Sequence, residues 1–497
     1  MDRHLQKLFI GGQWTDPATD ARIEVVDPAT EKVVISVPAA TAVDVRAAVV
    51  AGQQALADRS WTNAGVEARA ELIERAADIV ATKATDIGTI MTQEMGAPLS
   101  GTVNGHVAAS VATMRELAAF ARLLPEREIR TGRGPDTLVV REPVGVVAAL
   151  TPWNGPFATA VNKAIASLLM GSPVICKPSP QTPLDVFLLG IALAEAGLPD
   201  GLFSVLPAGA ESSSALVADP GISAISFTGS TSVGRQIGRL AGERFARVQL
   251  ELGGKSAALV LEDADPQAVA KVLRGGIFRN AGQVCTALTR VVVPRSRYDE
   301  FVDALVAEAE QIVVGDPNEP STEMGPLALA SQRERVETMV AQALSDGAKV
   351  AAGGRRPDGL DTGWYYSPTV LRDVTNDMTV AQDEIFGPVA VVIAHDGEDD
   401  AIRIANDSPY GLHGAVFTPD DERAVRVATR VQTGTFSVNQ CVNAATSPFG
   451  GVKQSGIGRE HDLEGLDFFA ELKTINLSPS LSASLHETTP VSRRGRA

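Results

Sequence analysis

Three observations predict an α/β fold built on parallel β-sheets. From about Val144, short apolar runs of β-type residues alternate with helical patterns: VGVVAAL, KAIASLLMG, SPVICK, FLLGIALAEAG, LFSVL, SSSALVADP and SAISF follow one another. Alternation at this spacing gives βαβ units, in which helices cover both faces of a mainly parallel sheet. A second alternating stretch starts after Gly254 with SAALVLEDAD and runs to TFSVNQ, long enough for another α/β domain. Finally, polar motifs stand where the predicted strands end: TPWN after the first, KPSPQTP after the second, TGSTSVG after the fourth, and Glu251 at the end of RVQLELGG. Ligands of parallel sheets bind beyond the carboxyl ends of the strands, so these motifs are expected to converge.

The 497 residues exceed one ordinary core, and the length suggests about three domains. Residues Arg127 to Arg141, rich in Thr, Gly and Arg, interrupt the first domain and read as a hairpin insertion. The polar tail after Ser478 is expected to be poorly ordered.

Composition narrows the function classes. With 44% hydrophobic and 21% charged residues the chain is a globular protein rather than a disordered or fibrous one. A net charge of −16 argues against nucleic acid as a partner, because phosphate neutralisation needs a basic face. Ser172, Pro173 and Lys177 interrupt the most apolar region before it reaches the roughly 18 residues of a membrane span, so no membrane partner is expected. The start, MDRHLQKLFIGGQW, lacks the apolar stretch of a signal peptide, and a cytoplasmic location is expected. Cys176, Cys285 and Cys441 are odd in number and widely spaced, fitting neither a disulfide framework nor a metal site; no metal is expected.

Four motifs carry candidate chemistry. In FTGSTSVG, Gly229 and Ser230 follow a strand and open a helix, where free backbone N–H groups favour a phosphate. The spacing is not G-x-G-x-x-G, and a turn that simply needs glycine would look the same. Lys177 of KPSPQTP either reaches a ribose or phosphate or is a solvated lysine at a strand end. Glu251, ending an apolar strand, is either exposed or held with a raised pKa that suits a general base. Cys285 lies in NAGQVCTALTR, where Gly282, Gln283, Thr286 and Ala287 make a poor core segment but a plausible loop-to-helix turn. Such a turn exposes a thiol and lowers its pKa, whereas free cysteines are usually inert core residues. Cys176, inside SPVICK, fits the core reading better.

Taken together, TPWN, KPS, FTGS, LELGGK, GQVC, EIFGP (Glu384 to Pro388) and SPFGGVKQSGIGRE (Ser447 to Glu460) resemble, in order and spacing, the NAD(P)-dependent aldehyde dehydrogenase superfamily. The likeness runs from about Leu8 to Thr474. It implies a Rossmann-type parallel-sheet cofactor domain over residues 1–123 and 144–253 and an α/β catalytic domain over 254–453. A small β-element for oligomerisation would span 124–143 and 454–478, with 479–497 as a polar tail and a homodimer or homotetramer as the assembly.

The resemblance also assigns roles. Cys285 is the nucleophile that attacks the aldehyde, Asn154 with the Cys285 N–H the donor pair for the oxyanion, and Glu251 the base that activates water for thioester hydrolysis. For the cofactor, NAD with NADP as the alternative, Lys177 matches the adenosine-ribose lysine and Gly229 and Ser230 the pyrophosphate turn. Glu384 and Phe386 match the nicotinamide holders, and Trp153 the tryptophan beside the phosphates. Pro180 stands where many members place a ribose-chelating glutamate, which leaves the choice between NAD and NADP open. Gly155, Asn162 and Asn443 replace bulky or aromatic residues of the substrate tunnel and imply a wider, more polar one, with Val284 and Thr286 flanking the nucleophile. Two rivals share the fold: a CoA-acylating semialdehyde dehydrogenase, disfavoured by Glu251, and a non-catalytic structural protein, disfavoured by Cys285, Glu251 and Asn154 occurring together.

Overall fold

A computed structural model describes residues 4–444 and 446–493. The predicted hairpin is present: β1 (Arg127–Thr131) and β2 (Thr137–Pro143) pair antiparallel. The chain then enters β3 (Val146–Leu150), a five-residue run buried on both faces, as parallel strands between helical layers must be. Helix α1 (Pro156–Leu169) returns it to β4 (Val174–Lys177), and α2 (Leu184–Glu195) to β5 (Phe203–Val205). Strands β6 (Ile222–Thr228) and β7 (Arg247–Glu251) flank α3 (Thr231–Gly242) and complete a parallel series ordered β7-β6-β3-β4-β5. Its edges are extended antiparallel, by Gly456–Ile457 beside β7 and by Leu8–Ile10 beside β5. The order reverses at β3, and TPWN leaves that strand at the switch point where such sheets bind ligands.

The second sheet holds β8 (Ala257–Val260), β9 (Arg290–Pro294), β10 (Val389–His395) and β11 (Gly414–Phe417), parallel in the order β10-β9-β8-β11. Its core is a contiguous cluster of Val, Ile, Leu and Ala from these strands and their helices. The carboxyl end of β7 runs through Leu252–Ser256 into β8, so the two sheets meet at the segment carrying Glu251.

A third sheet forms around the hairpin. Strand β12 (Ala470–Asn476) pairs antiparallel with β2 over its full length, and β13 (Val491–Arg493) pairs parallel with β1. The tail thus departs from the sequence expectation: Pro479–Leu485 is helical, and β13 is ordered by backbone pairing to a free sheet edge, which needs little side-chain hydrophobicity. Residues 494–497 of that tail lie outside the described residues. No helix among the described residues is long and apolar enough to cross a membrane.

Candidate functional site

Between the two large sheets lies a cleft of about 550 Å³, lined among others by Trp153, Asn154, Gly229, Ser230, Glu251, Cys285, Glu384 and Phe386. Most of the residues singled out by sequence therefore meet in one place. Ser230 is the N-cap of α3, its hydroxyl accepting from the Val233 N–H at 3.4 Å, while the Gly229 N–H donates to the Glu251 carbonyl at 3.0 Å. A helix N-terminus with unused N–H groups thus opens onto the cleft. Arg235 and Arg335 also line it, and neither belongs to the sequence motifs.

The nucleophile turn is locked by an amide network. Asn280 and Ala281 are both left-handed, with φ of 53°, and a Cβ on Gly282 would stand 2.1 Å from the Gly387 carbonyl oxygen. Glycine is therefore obligatory there. The Asn154 amide donates to the Gln283 carbonyl at 2.8 Å, Asn280 Nδ2 donates to the Asn154 carbonyl at 3.0 Å, and the Gln283 side chain bonds Asn280 and the Ala328 N–H. An amide carries two N–H bonds, so Asn154 keeps one donor beyond the bond to Gln283. Gly254 permits another close approach: a Cβ there would lie 2.4 Å from the Cys285 carbonyl oxygen.

Cys285 is half-buried, but its thiol is pushed up to about 12, first by burial and then by the Glu384 and Glu251 carboxylates. This reverses the lowered value expected of a turn cysteine, because burial first, and then the carboxylates, outweigh the local backbone. Glu251 itself is buried, both its oxygens lack a hydrogen-bond partner, and burial followed by Glu460 raises its pKa well above the usual carboxylate range. Opposing this, Lys163 and Arg459 favour its charge. Glu384 accepts from the Gly254 N–H at 2.9 Å and is raised to about 7, mainly by burial. Phe386, left-handed at φ 59°, packs edge-on against Trp153 at 5.2 Å, and Gln332 holds its carbonyl at 2.8 Å.

Sequence reasoning missed the buried pair behind Glu251. Lys163 Nζ lies 2.5 Å from Glu460 and 2.9 Å from the Ser226 hydroxyl, deep under β6. A lysine within the largely apolar run AVNKAIASLL was the available signal.

Not all predicted residues line the cleft. Lys177 ends β4 beside Leu150, its carbonyl accepting from the Thr151 N–H at 3.1 Å; it is half-buried, and burial lowers its ammonium to about 8. Asn162 and Asn443 line a separate cavity of about 260 Å³ together with Ser110, Thr113, Phe449 and His461. Asn162 lies in the second turn of α1, which begins two residues after Asn154. Phe449 and Glu460 bond reciprocally through their backbones, linking the wall of this cavity to the groups around Glu251. Gly155, Val284 and Thr286 are half-exposed and line neither cavity.

Two parallel α/β sheets whose facing ends enclose a thiol, a buried carboxyl and a helix N-terminus define the class of protein. The chain belongs to the aldehyde dehydrogenase family, whose model matches residues 14–475. It is 40% identical over 473 residues to geranial dehydrogenase from Castellaniella defragrans, covering 95% of this chain and 98% of that protein. An aldehyde dehydrogenase from Mycobacterium tuberculosis, solved as a complex with NAD+, superposes with a TM-score of 0.94 at 43% identity, covering 95% of this chain and 98% of that one. A mutant of aldehyde dehydrogenase C from Pseudomonas syringae, solved with NAD+ and octanal, gives a TM-score of 0.93 at 37% identity, with 96% and 98% covered.

Proposed function

We propose that the protein oxidises an aldehyde to the carboxylic acid with NAD as the hydride acceptor. The observation that carries this reading is the meeting of Cys285, Glu251 and the N-terminus of α3 in one cleft. The donor set there fits a dinucleotide: helix N–H groups at Gly229 and Ser230 with Arg235 and Arg335 nearby suit a diphosphate. Lys177 would take the adenosine ribose, Trp153 the phosphates, and Glu384 and Phe386 the nicotinamide ribose and ring. When bound, the oxidised dinucleotide supplies the hydride acceptor and a positively charged ring.

The chain's own residues do the rest. Cys285 attacks the carbonyl carbon as thiolate, and the oxyanion of the resulting thiohemiacetal takes the spare Asn154 N–H and the Cys285 backbone N–H. After oxidation to the thioester, Glu251 draws a proton from water, which attacks and releases the acid. A carboxyl with a pKa raised by burial suits this role, since it holds a proton more readily than an exposed carboxylate does. Lys163 and Glu460 adjoin it as charged neighbours.

Asn162, Asn443 and His461, with Gly155, Val284 and Thr286 near the nucleophile, would form the substrate passage. Its neutral hydrogen-bonding walls suit an aldehyde with a polar tail. The domain roles follow the same reading, with residues 1–123 and 144–253 binding cofactor, 254–453 carrying the nucleophile, and the sheet of 124–143 and 454–478 joining copies into a dimer or tetramer.

Glu251→Gln tests the chemistry. The amide cannot accept the proton, so steady turnover should fall about 10²- to 10⁴-fold, while rapid mixing with aldehyde shows a burst of reduced cofactor comparable to the enzyme concentration. Wild-type rates in both phases would remove Glu251 from the mechanism and favour acyl transfer to CoA.

A further inference from the structure

Lys255 ends the LELGGK motif, and none of the roles proposed above uses it. It is buried where the chain passes from β7 into β8, directly after two glycines pressed against Glu384. A Cβ on Gly253 would stand 2.4 Å from Glu384 Oε2, and the Gly254 N–H donates to Glu384 Oε1 at 2.9 Å. Glu384 thus lies against the backbone that carries Lys255. The Lys255 ammonium has no hydrogen-bond partner, and the same holds for the Ser256 hydroxyl and for His413 Nε2, both buried. All three residues line one enclosed cavity of about 10 Å³, which is room for about one water. Tyr410 lines both this cavity and the cofactor cleft, so the two share a wall.

The hydrogen bonds around the cavity fix what can occupy it. The Thr435 hydroxyl donates its one proton to the Leu412 carbonyl at 3.0 Å, so in its 3.0 Å contact with His413 Nδ1 the imidazole donates. Burial lowers His413 to about 4; the ring is neutral, and Nε2 presents a lone pair. Lys255 offers only N–H groups, and Ser256 offers one donor and two acceptor positions. An anion would meet the His413 lone pair, and a cation would meet Lys255 and Arg290, which lines the same cavity. Water suits every wall: it accepts from Lys255 and Ser256 and donates to His413, about the three bonds a buried water makes.

The charge on Lys255 matters to Glu384. Burial and then Arg290 lower the lysine to about 7, while Glu384 and Asp383 favour its charge and Arg335 opposes it. Burial raises Glu384 to about 7 against the pull of the Gly254 N–H, Lys255 and Arg335; Tyr410 and Cys285, which also face it, are both raised and uncharged near neutrality. Lysine and carboxyl therefore contest one proton near pH 7, and a water that accepts from Nζ places it on the lysine. We propose that Lys255 is a positioning residue for Glu384: an internal water shared with Ser256 and His413 holds the lysine protonated, and the lysine keeps the carboxylate ionised to accept from the ribose hydroxyls of the dinucleotide, the cofactor reading on which this assignment rests.

The affinity of the full-length protein for NAD, measured by calorimetry from about pH 6 to about pH 9, tests this. Lys255→Met keeps the bulk and removes the charge. Its affinity should fall about tenfold near pH 7, as one pKa unit of lost support for the carboxylate requires, and return to within about twofold of the wild type by about pH 9, where Glu384 ionises unaided. In a Glu384→Gln background, where nothing at position 384 titrates, adding Lys255→Met should leave the affinity and its pH dependence unchanged. His413→Leu removes the acceptor for the water without touching Lys255 and should weaken binding in the same direction, by about threefold near pH 7. His413→Gln, whose amide oxygen can accept from the water, should restore the wild-type profile; this pair decides the question should Lys255→Met fail to fold. A loss that is equal at every pH, or that persists in the Glu384→Gln background, would make Lys255 a packing residue and overturn the proposal, as would His413 variants with the wild-type profile. Failure of the wild-type protein to bind NAD at any pH would overturn the cofactor reading itself, and the proposal with it.

Discussion

The middle of β4 and the turn before β9 each hold a cysteine whose thiol is pushed up to about 12, and the two regions reach that value by different routes. Cys176 is fully buried between Ala149 and Val205 of the neighbouring strands; burial alone raises it, and the ammonium of Lys163 works in the opposite direction. Cys285 is half-buried at the wall of a cleft, and carboxylates at Glu384 and Glu251 add to the effect of burial. A raised pKa therefore does not separate an inert thiol from a nucleophile; access and the reversibility of the cause do. Desolvation by a packed sheet is permanent. The carboxylate contribution fades as Glu384, raised to about 7 by burial, takes up a proton, and Glu251 is raised in the same direction by burial and Glu460.

The largest expected effect comes from removing the accessible thiol. Cys285→Ala should lower aldehyde-dependent reduction of cofactor by about four orders of magnitude or more, as loss of a covalent nucleophile does. Cofactor binding, read by tryptophan fluorescence through Trp153, should persist. Substantial turnover in this variant would dissolve the contrast between the two cysteines.

A smaller, graded effect separates access from acidity. In the protein without cofactor, alkylation of Cys285 should rise about tenfold per pH unit from about pH 7 to about pH 10, because the thiolate reacts and its fraction grows until the pKa near 12. Cys176, with the same pKa, should stay unmodified throughout, as mass spectrometry of the digested protein would show. A plateau below about pH 9 would mean that the thiolate is already stabilised without a bound ligand.

Cys285 also marks where the sequence was legible and where it was not. Its place in a turn could be read from Gly282 and Gln283, and the parallel sheet from the alternation of apolar runs with amphipathic ones, because both are local properties of the chain. The direction of its pKa could not be read, since the burial that chiefly sets it, and the Glu251 and Glu384 carboxylates that add to it, come from segments remote in sequence. Lys163 and Glu460 were hidden for the same reason: each is a single polar residue whose partner is supplied by the fold. The order in the tail was missed because β13 is held by backbone hydrogen bonds to β1, and such pairing leaves no hydrophobic pattern in Val491–Arg493. Arg235 and Arg335 belong to no motif, and only the closure of the cleft gives them a common purpose.

The smallest expected effect falls on the buried cysteine. Cys176→Ala removes one sulfur from a packed site in the first sheet, where neighbouring strands leave little room to collapse, so it should cost about 1–2 kcal/mol of stability. Denaturant unfolding followed by far-UV circular dichroism would show the midpoint falling with little change in slope. The side chain reaches neither cavity, so kcat and KM for an aldehyde should match the wild type. Lys163 complicates the site, since its ammonium faces Cys176 as well as Glu460. A cavity beside it could admit water, loosen the ion pair and so alter the environment of Glu251. That route predicts a distinct signature: a lowered kcat with a shifted pH profile and unchanged KM. If it appears, β4 is coupled to the cleft through Lys163 and the two cysteines are not independent; if stability alone falls, Cys176 is packing and Cys285 is chemistry.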